Sequence, residues 1–122
     1  MEETDSVTES IIGCCFEVHR EIGPGFNEKI YHNALRLLFD QKGLRHQTER
    51  EFEVFYLKRK IGSFRADLVV EDKVIVEIKS LAGNIPKIFE HQLISYLRAS
   101  GLQVGLLINF GNMSCQVRRV VF

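Results

Sequence analysis

From Arg65 to Lys79 the chain reads Arg-Ala-Asp-Leu-Val-Val-Glu-Asp-Lys-Val-Ile-Val-Glu-Ile-Lys, two β-branched runs around a short polar break. Such runs form strands, and the break forms a hairpin turn. Side chains alternate faces along a strand, so Glu77 and Lys79 share one face while Val76 and Ile78 take the other. A strand otherwise built of Val74, Ile75, Val76 and Ile78 belongs at the centre of a sheet, where charges are costly unless paired or bound to a metal. Asp67 on the first strand supplies a second carboxylate, provided that it comes opposite Glu77. That requires an odd-numbered loop such as Glu71-Asp72-Lys73, or an equivalent bulge, because a plain two-residue Asp72-Lys73 turn would put Asp67 on the wrong face. Two carboxylates, a lysine and a metal-held water are the parts of metal-assisted phosphodiester hydrolysis.

The flanking segments give this hairpin its setting. Ser6-x-x-Glu9 is a capping-box pattern that predicts the start of an amphipathic helix with Val7, Ile11, Cys14, Cys15, Val18 and Ile22 as its stripe. Gly23-Pro24-Gly25 stops it. A second helix is expected from Asn27 to Lys42, with Ile30, Tyr31, Ala34, Leu35 and Leu38 apolar and Gly43 as C-cap. Gln47 to Leu57 reads as a strand, Lys58-Arg59-Lys60 as a solvated turn, and Ile61 to Val70 as the next strand. Pro86 sits at the first turn of a third helix that carries Ile88, Phe89, Leu93, Tyr96 and Leu97 and ends at Ser100-Gly101. Val104 to Asn109 is almost wholly apolar, as in a strand covered on both faces. Gly111-Asn112 turns the chain into a last strand from Cys115 to Val121. The helix between Lys79 and Val104 lets those two strands run parallel, so the expected fold is α/β of mixed α+β character, a central mixed sheet flanked by helices.

Composition limits the function classes. The chain has 122 residues, 45% hydrophobic and 26% charged, which suits one domain over residues 1–122. No apolar run approaches the roughly 20 residues of a membrane span, and the acidic start Met1-Glu2-Glu3-Thr4-Asp5 is unlike a signal peptide. Three cysteines, adjacent Cys14 and Cys15 and distant Cys115, form no CxxC pair. Reduced, buried thiols in a cytoplasmic protein are expected. Sixteen basic residues balance sixteen acidic ones. A broad duplex-coating surface would show a basic excess, so a small site, an assembly or an approach at a nucleic-acid end is expected instead.

Further polar residues join the hairpin as candidates. Glu28 follows Gly23-Pro-Gly-Phe-Asn, at the start of the second helix, where a glutamate also serves the helix dipole. Gly23 and Gly25 form no phosphate loop, since no GK[ST] follows and no strand precedes them. Gln92 and Tyr96 stand one helical turn apart on one face. His19 is of interest for its segment, although packing or surface exposure is its ordinary role, and His32, His46 and His91 lack zinc-site spacing. Arg45, Arg50, Lys58, Arg59, Lys60, Lys87, Arg118 and Arg119 are candidates for phosphate contacts.

Gly23 to Tyr31 (GxGxxExxY), then Asp67, then Glu77-Ile78-Lys79, then Gln92-x-x-x-Tyr96 come in an order that resembles the GxxExxY proteins. These belong to the PD-(D/E)XK nuclease superfamily, on the side similar to RecB-type exonucleases. Val18-His19-Arg20 and Gly105-Leu-Leu-Ile-Asn-Phe-Gly111 are also similar to that family, so the likeness covers nearly the whole chain. Arg65-Ala66 stands where the superfamily name expects a proline before the aspartate. The resemblance implies a restriction-endonuclease-like core and Mg²⁺- or Mn²⁺-dependent hydrolysis of nucleic acid, with DNA favoured as substrate. It implies that Asp67, Glu77, the Ile78 carbonyl and Glu28 serve the metal, Glu28 directly or through water. Lys79 would orient the attacking water, and Gln92 and Tyr96 would place substrate or Lys79. Two other readings compete: a nucleic-acid-binding module of the same fold with little turnover, and a protein-interaction domain whose buried charges pair only with each other. A homodimer is expected to enlarge the small binding surface, with no membrane partner.

Overall fold

A computed structural model describes residues 2–122, with side chains described from Thr4 onward. In chain order the elements are α1 (Glu2–Ile22), α2 (Glu28–Lys42), β1 (His46–Tyr56), β2 (Arg59–Val70), β3 (Val74–Lys79), α3 (Lys87–Ser100), β4 (Val104–Asn109) and β5 (Gln116–Val121). The strands form one sheet in the order β1-β2-β3-β4-β5. All neighbours are antiparallel except β3 and β4, which run parallel through the α3 crossover, as the helix between two apolar strands requires.

Burial follows strand alternation. Leu68, Val70, Val74, Val76, Ile78, Val104, Leu106 and Ile108 pack on one face against Ile11, Cys15, Val18, Tyr31, Leu35 and Phe39 of α1 and α2. Val69, Ile75 and Leu107 face the other way, against Leu93 and Leu97 of α3. β3 is therefore covered on both sides, and Glu77 is 6% exposed within it.

Local chemistry corrects several expectations. α1 is helical from Glu2, so Ser6 lies inside the helix and is no cap; the acidic residues before it suit a helix N-terminus, and Asp5 is held by Arg119 of β5 at 2.8 Å. In α2 the buried stripe is Tyr31, Leu35, Leu38 and Phe39, while Ile30 is exposed. Asn27 caps this helix through its side chain, and Gly43 ends it in the left-handed conformation. The β1–β2 turn is Leu57-Lys58, both at positive φ, and Arg59 and Lys60 already belong to the strand. A two-residue turn of this hand matches the strand twist better than a longer basic loop. Pro86 is the residue preceding α3 and not its first, and β5 begins at Gln116, leaving Cys115 outside. Cys14 and Cys15 are buried free thiols, and Cys115 is half-buried.

Buried Asn109 fixes the loop after β3. Its amide oxygen accepts from the Leu81 and Gly111 backbones, and its amide nitrogen donates to the Leu81 carbonyl and to Gln116. Gly111 must come close for this to happen: a Cβ there would lie 2.3 Å from the Leu81 nitrogen and oxygen. Gly111→Ala is accordingly expected to destabilise the fold by about 3 kcal/mol, the upper range for overpacking, because the clashing atoms are backbone. A urea melt checks this; a loss below 0.5 kcal/mol, roughly the effect of a neutral surface change, would show that the loop yields freely.

Candidate functional site

The β2–β3 hairpin turns through Glu71, Asp72 and Lys73, between the pair Val70 and Val74. This is the odd-numbered loop that brings Asp67 opposite Glu77, and Glu71 and Asp72 take left-handed backbone to make it. The ladder runs through Val69/Ile75 to Leu68/Val76 and then stops. Beyond that point the two strands separate, and carboxylates fill the gap. The Asp67 backbone N–H donates to Glu77 Oε2 at 2.8 Å, and the Ile78 backbone N–H donates to Asp67 Oδ2 at 2.8 Å. Each carboxylate thus satisfies a donor of the other strand that would otherwise have lost its partner.

The two acids do not stand side by side on one face, as simple alternation implies. Ala66 and Val69 both pack towards α3, so the two-residue period slips at Asp67. Opposite, Thr48 pairs with Leu68 and Arg50 with Ala66, while Glu49 between them has φ 53°. The kink turns Asp67 into a cleft of about 330 Å³ beneath α2, lined also by Glu28, His32, Arg36, Thr48, Glu49 and Ile78. Glu77 stays on the α3 side, as does Lys79, whose Nζ lies 4.1 Å above the Phe89 ring of α3.

Charge is crowded here. Burial, and secondly the Asp67 charge, push the Glu77 carboxyl up to about 8, against the opposing pull of the Asp67 N–H and Lys79. Asp67 is also raised, chiefly by burial, although the Ile78 N–H, His32 and Lys79 act in the other direction. Burial likewise raises Tyr96, aided by Glu77 and Asp67, which puts its phenol within their field. The Tyr96 ring stacks on Phe64 of β2, centroids 4.0 Å apart.

Glu28 opens α2 and is exposed on the cleft rim. The turn before it is set by Tyr31, whose hydroxyl donates to the Gly23 carbonyl at 2.6 Å and accepts from the Phe26 N–H. Ser80, just past β3, donates to the Phe26 carbonyl. The Gly23–Tyr31 motif therefore fastens the start of α2 to the end of the strand carrying Glu77 and Lys79. Gln92 is exposed on α3, and no contact joins it to the two acids among the described residues. His19 is buried and bonded through Nε2 to the Asn112 carbonyl, a packing role away from the cleft. Among the described residues no three His, Cys, Asp or Glu side chains lie close enough to hold a metal ion by themselves.

Sequence reasoning passed over His32 and Glu49. His32 stands beside Asp67 and shares a hydrogen bond with Thr48, and burial lowers its imidazole against the pull of Asp67 and Glu49. A signal existed: Glu28, His32 and Arg36 repeat at i, i+4 and i+8, a polar stripe on the helix face beside the core stripe. Nothing in the local sequence marks the kink at Glu49.

A family model for the PD-(D/E)XK nuclease superfamily matches residues 5–120. Among solved structures the chain is similar to that of SSO0001, with a TM-score of 0.62 and 21% identity over 76% of this chain and 48% of that one. It spans about half the length of that protein, and the likeness concerns the fold. No curated protein matches. Among the described residues no helix is long and apolar enough to cross a membrane.

Proposed function

We propose, from the premise that the chain belongs to the PD-(D/E)XK nuclease superfamily, that the gap between β2 and β3 hydrolyses phosphodiester bonds of nucleic acid with a divalent metal. The five-stranded mixed sheet with its helices is the restriction-endonuclease-like core of that superfamily. Within it we place the chain with the GxxExxY proteins, on the RecB-like side, and favour DNA over RNA. The observation that carries the reading is the interlocked pair Asp67 and Glu77 at the point where the strands part, with Lys79 one step further along β3.

The donor set fits Mg²⁺ or Mn²⁺. Two carboxylates and the Ile78 carbonyl are hard oxygen ligands, and a buried acid pushed up to about 8 is one whose ionised form is disfavoured until a cation offsets its charge. Asp67 and Glu77 would hold the ion, with Ile78 assisting and Glu28 acting through water from the rim. When bound, the ion would polarise a phosphate oxygen and acidify a water. Lys79 balances charge that develops on the scissile phosphate and orients the attacking water, and its seat over Phe89 keeps the ammonium from collapsing onto Glu77. Tyr96 positions the substrate strand on the α3 side, helped by Gln92. His32 beneath Asp67 fixes the carboxylate on the α2 side.

Cleavage of labelled single- and double-stranded DNA and RNA in Mg²⁺ or Mn²⁺ tests this. Lys79→Ala is expected to lower the rate about a hundredfold, in the range found when one preorganised electrostatic group is removed. Wild-type rates for Lys79→Ala would overturn the assignment. The second reading, a binding module with little turnover, is favoured by the absence, among the described residues, of three ligating side chains close together. Substrate binding without cleavage of any of the four substrates would select it.

A further inference from the structure

β1 and β2 are the longest strands, and β3 pairs with only the last residues of β2, from Leu68 to Val70. The remainder projects from the sheet as a two-stranded arm. It leaves the body at Asp67, and Ile61 lies about 20 Å along it from that residue at the usual strand rise. The arm is braced at its base. Phe52 of β1 stacks on Phe64 of β2 at 5.3 Å, Phe64 stacks on Tyr96 of α3, and Arg50 lies over Phe52.

The tip is unlike the stem. Phe55, Tyr56, Leu57 and Ile61 are 57%, 66%, 79% and 65% exposed, and Lys58, Arg59 and Lys60 lie among them. No acidic residue occurs from Val54 to Ala66, in a chain whose formal charge is zero. The stem, in contrast, carries Glu51 and Glu53 on the open edge strand; Glu53 pairs with Lys60 at 3.6 Å, which leaves Lys58 and Arg59 as the tip's cations for phosphate. The turn itself is costly. Leu57 and Lys58 have φ 49° and 63°, a conformation suited to Asn-Gly. An aliphatic and a cation are held at the tip despite this strain, and the inference runs from such strain to function.

We propose that this arm binds nucleic acid, its tip taking an unpaired strand that passes around the turn, with bases stacked on Phe55 and Tyr56 from opposite faces of the arm and phosphates on Lys58 and Arg59. The proposal rests on the nuclease reading and names the substrate class of the same site. Exposed rings need open base faces, which an unpaired strand offers and a duplex interior does not. The basic tip complements phosphate, whereas a second copy of the chain docked tip to tip would set like charges against each other. A strand whose phosphate reaches Asp67 and Glu77 and then runs out along the arm is held by the tip several nucleotides from the scissile bond.

Fluorescence anisotropy in EDTA with labelled oligothymidylate and a blunt duplex of equal length tests the arm. Wild type should prefer the single strand. Phe55→Ala with Tyr56→Ala should weaken binding to it about a hundredfold, near tenfold per ring. Lys58→Ala with Arg59→Ala should reduce the salt slope by about 1.4, as expected for two phosphates of a single strand. Leu57→Asn with Lys58→Gly should raise the melting temperature and still weaken binding, which separates the tip's function from its folding. Duplex preference, no binding by wild type, or unchanged affinity in the tip variants would each overturn the proposal. So would a tip variant that converts a dimer to a monomer in sedimentation while keeping its affinity. Cleavage that depends on Asp67 beside unchanged tip variants would sink the arm and leave the site; tip-dependent binding without cleavage by wild type would sink turnover and leave the arm.

Discussion

Asp67→Asn should lower metal-dependent cleavage about a thousandfold, equivalent to about 4 kcal/mol of barrier, while the protein stays folded. The amide oxygen of asparagine can still accept the Ile78 N–H that Asp67 Oδ2 accepts at 2.8 Å, so the hydrogen bond that joins the parted strands survives. What goes is the charge and one hard carboxylate oxygen on the α2-side cleft. The same substitution should erase the thermal response to metal. A ligand at a hundred times its dissociation constant adds about 2.7 kcal/mol to wild type, which for a domain of this size raises the melting temperature by about 10 °C. Equal Mg²⁺ or Mn²⁺ shifts in wild type and Asp67→Asn would remove the ion from this gap.

The hairpin that carries the proposed site was legible because a strand allows only two faces. Parity alone excluded the two-residue turn, and the loop Glu71-Asp72-Lys73 follows it. The parallel pairing of Val74–Lys79 with Val104–Asn109 was legible for a related reason: two apolar runs joined by a helix have few other ways to share a sheet. Parity did not reveal that the strands part after Leu68 and Val76, or that Asp67 turns towards α2 while Glu77 stays on the α3 side. Those outcomes depend on the kink at Glu49, a residue two strands away from Glu77 with no turn signature around it. Local capping misled for a similar reason. Ser6 and Glu9 can form a box, but Glu2 to Asp5 extend the helix upstream, and the box has no terminus to cap. Tyr31 belongs to the apolar stripe of its helix and lies buried, yet its hydroxyl also holds the Gly23–Phe26 turn. Helical spacing sorts side chains into inside and outside and says nothing of what a buried polar tip reaches.

Glu77→Gln should make the metal-free protein more stable than wild type at pH 8 and leave it without cleavage. The folded-state pKa of Glu77, about 8, lies above its ordinary 4.5, so between those values the folded protein keeps a proton that the unfolded chain releases. The Glu77 contribution to stability is then fully present below about pH 4.5 and is lost as pH rises to about 8, because folding must either bind that proton or bury the charge. Asp67 is raised in the same direction and adds to the slope. The decline should be on the order of a few kcal/mol, since a tenfold change in proton affinity between the folded and unfolded chain corresponds to about 1.4 kcal/mol and relaxation of a paired site reduces the total. Glutamine still accepts the Asp67 N–H but carries no charge to bury, so its profile should be shallower than that of wild type, keeping only the part due to Asp67. Urea melts in EDTA at pH 5, 6.5 and 8 decide the matter; parallel profiles for wild type and Glu77→Gln would show that Glu77 ionises freely in the folded protein. A divalent ion takes the place of the proton, so added metal should stabilise wild type more at pH 8 than at pH 6, and cleavage should rise over the same interval. On the proposed function, the instability of the ionised pair is free energy that a bound cation would recover, so removing the Glu77 charge should weaken metal binding as well as flatten the Glu77 part of the profile.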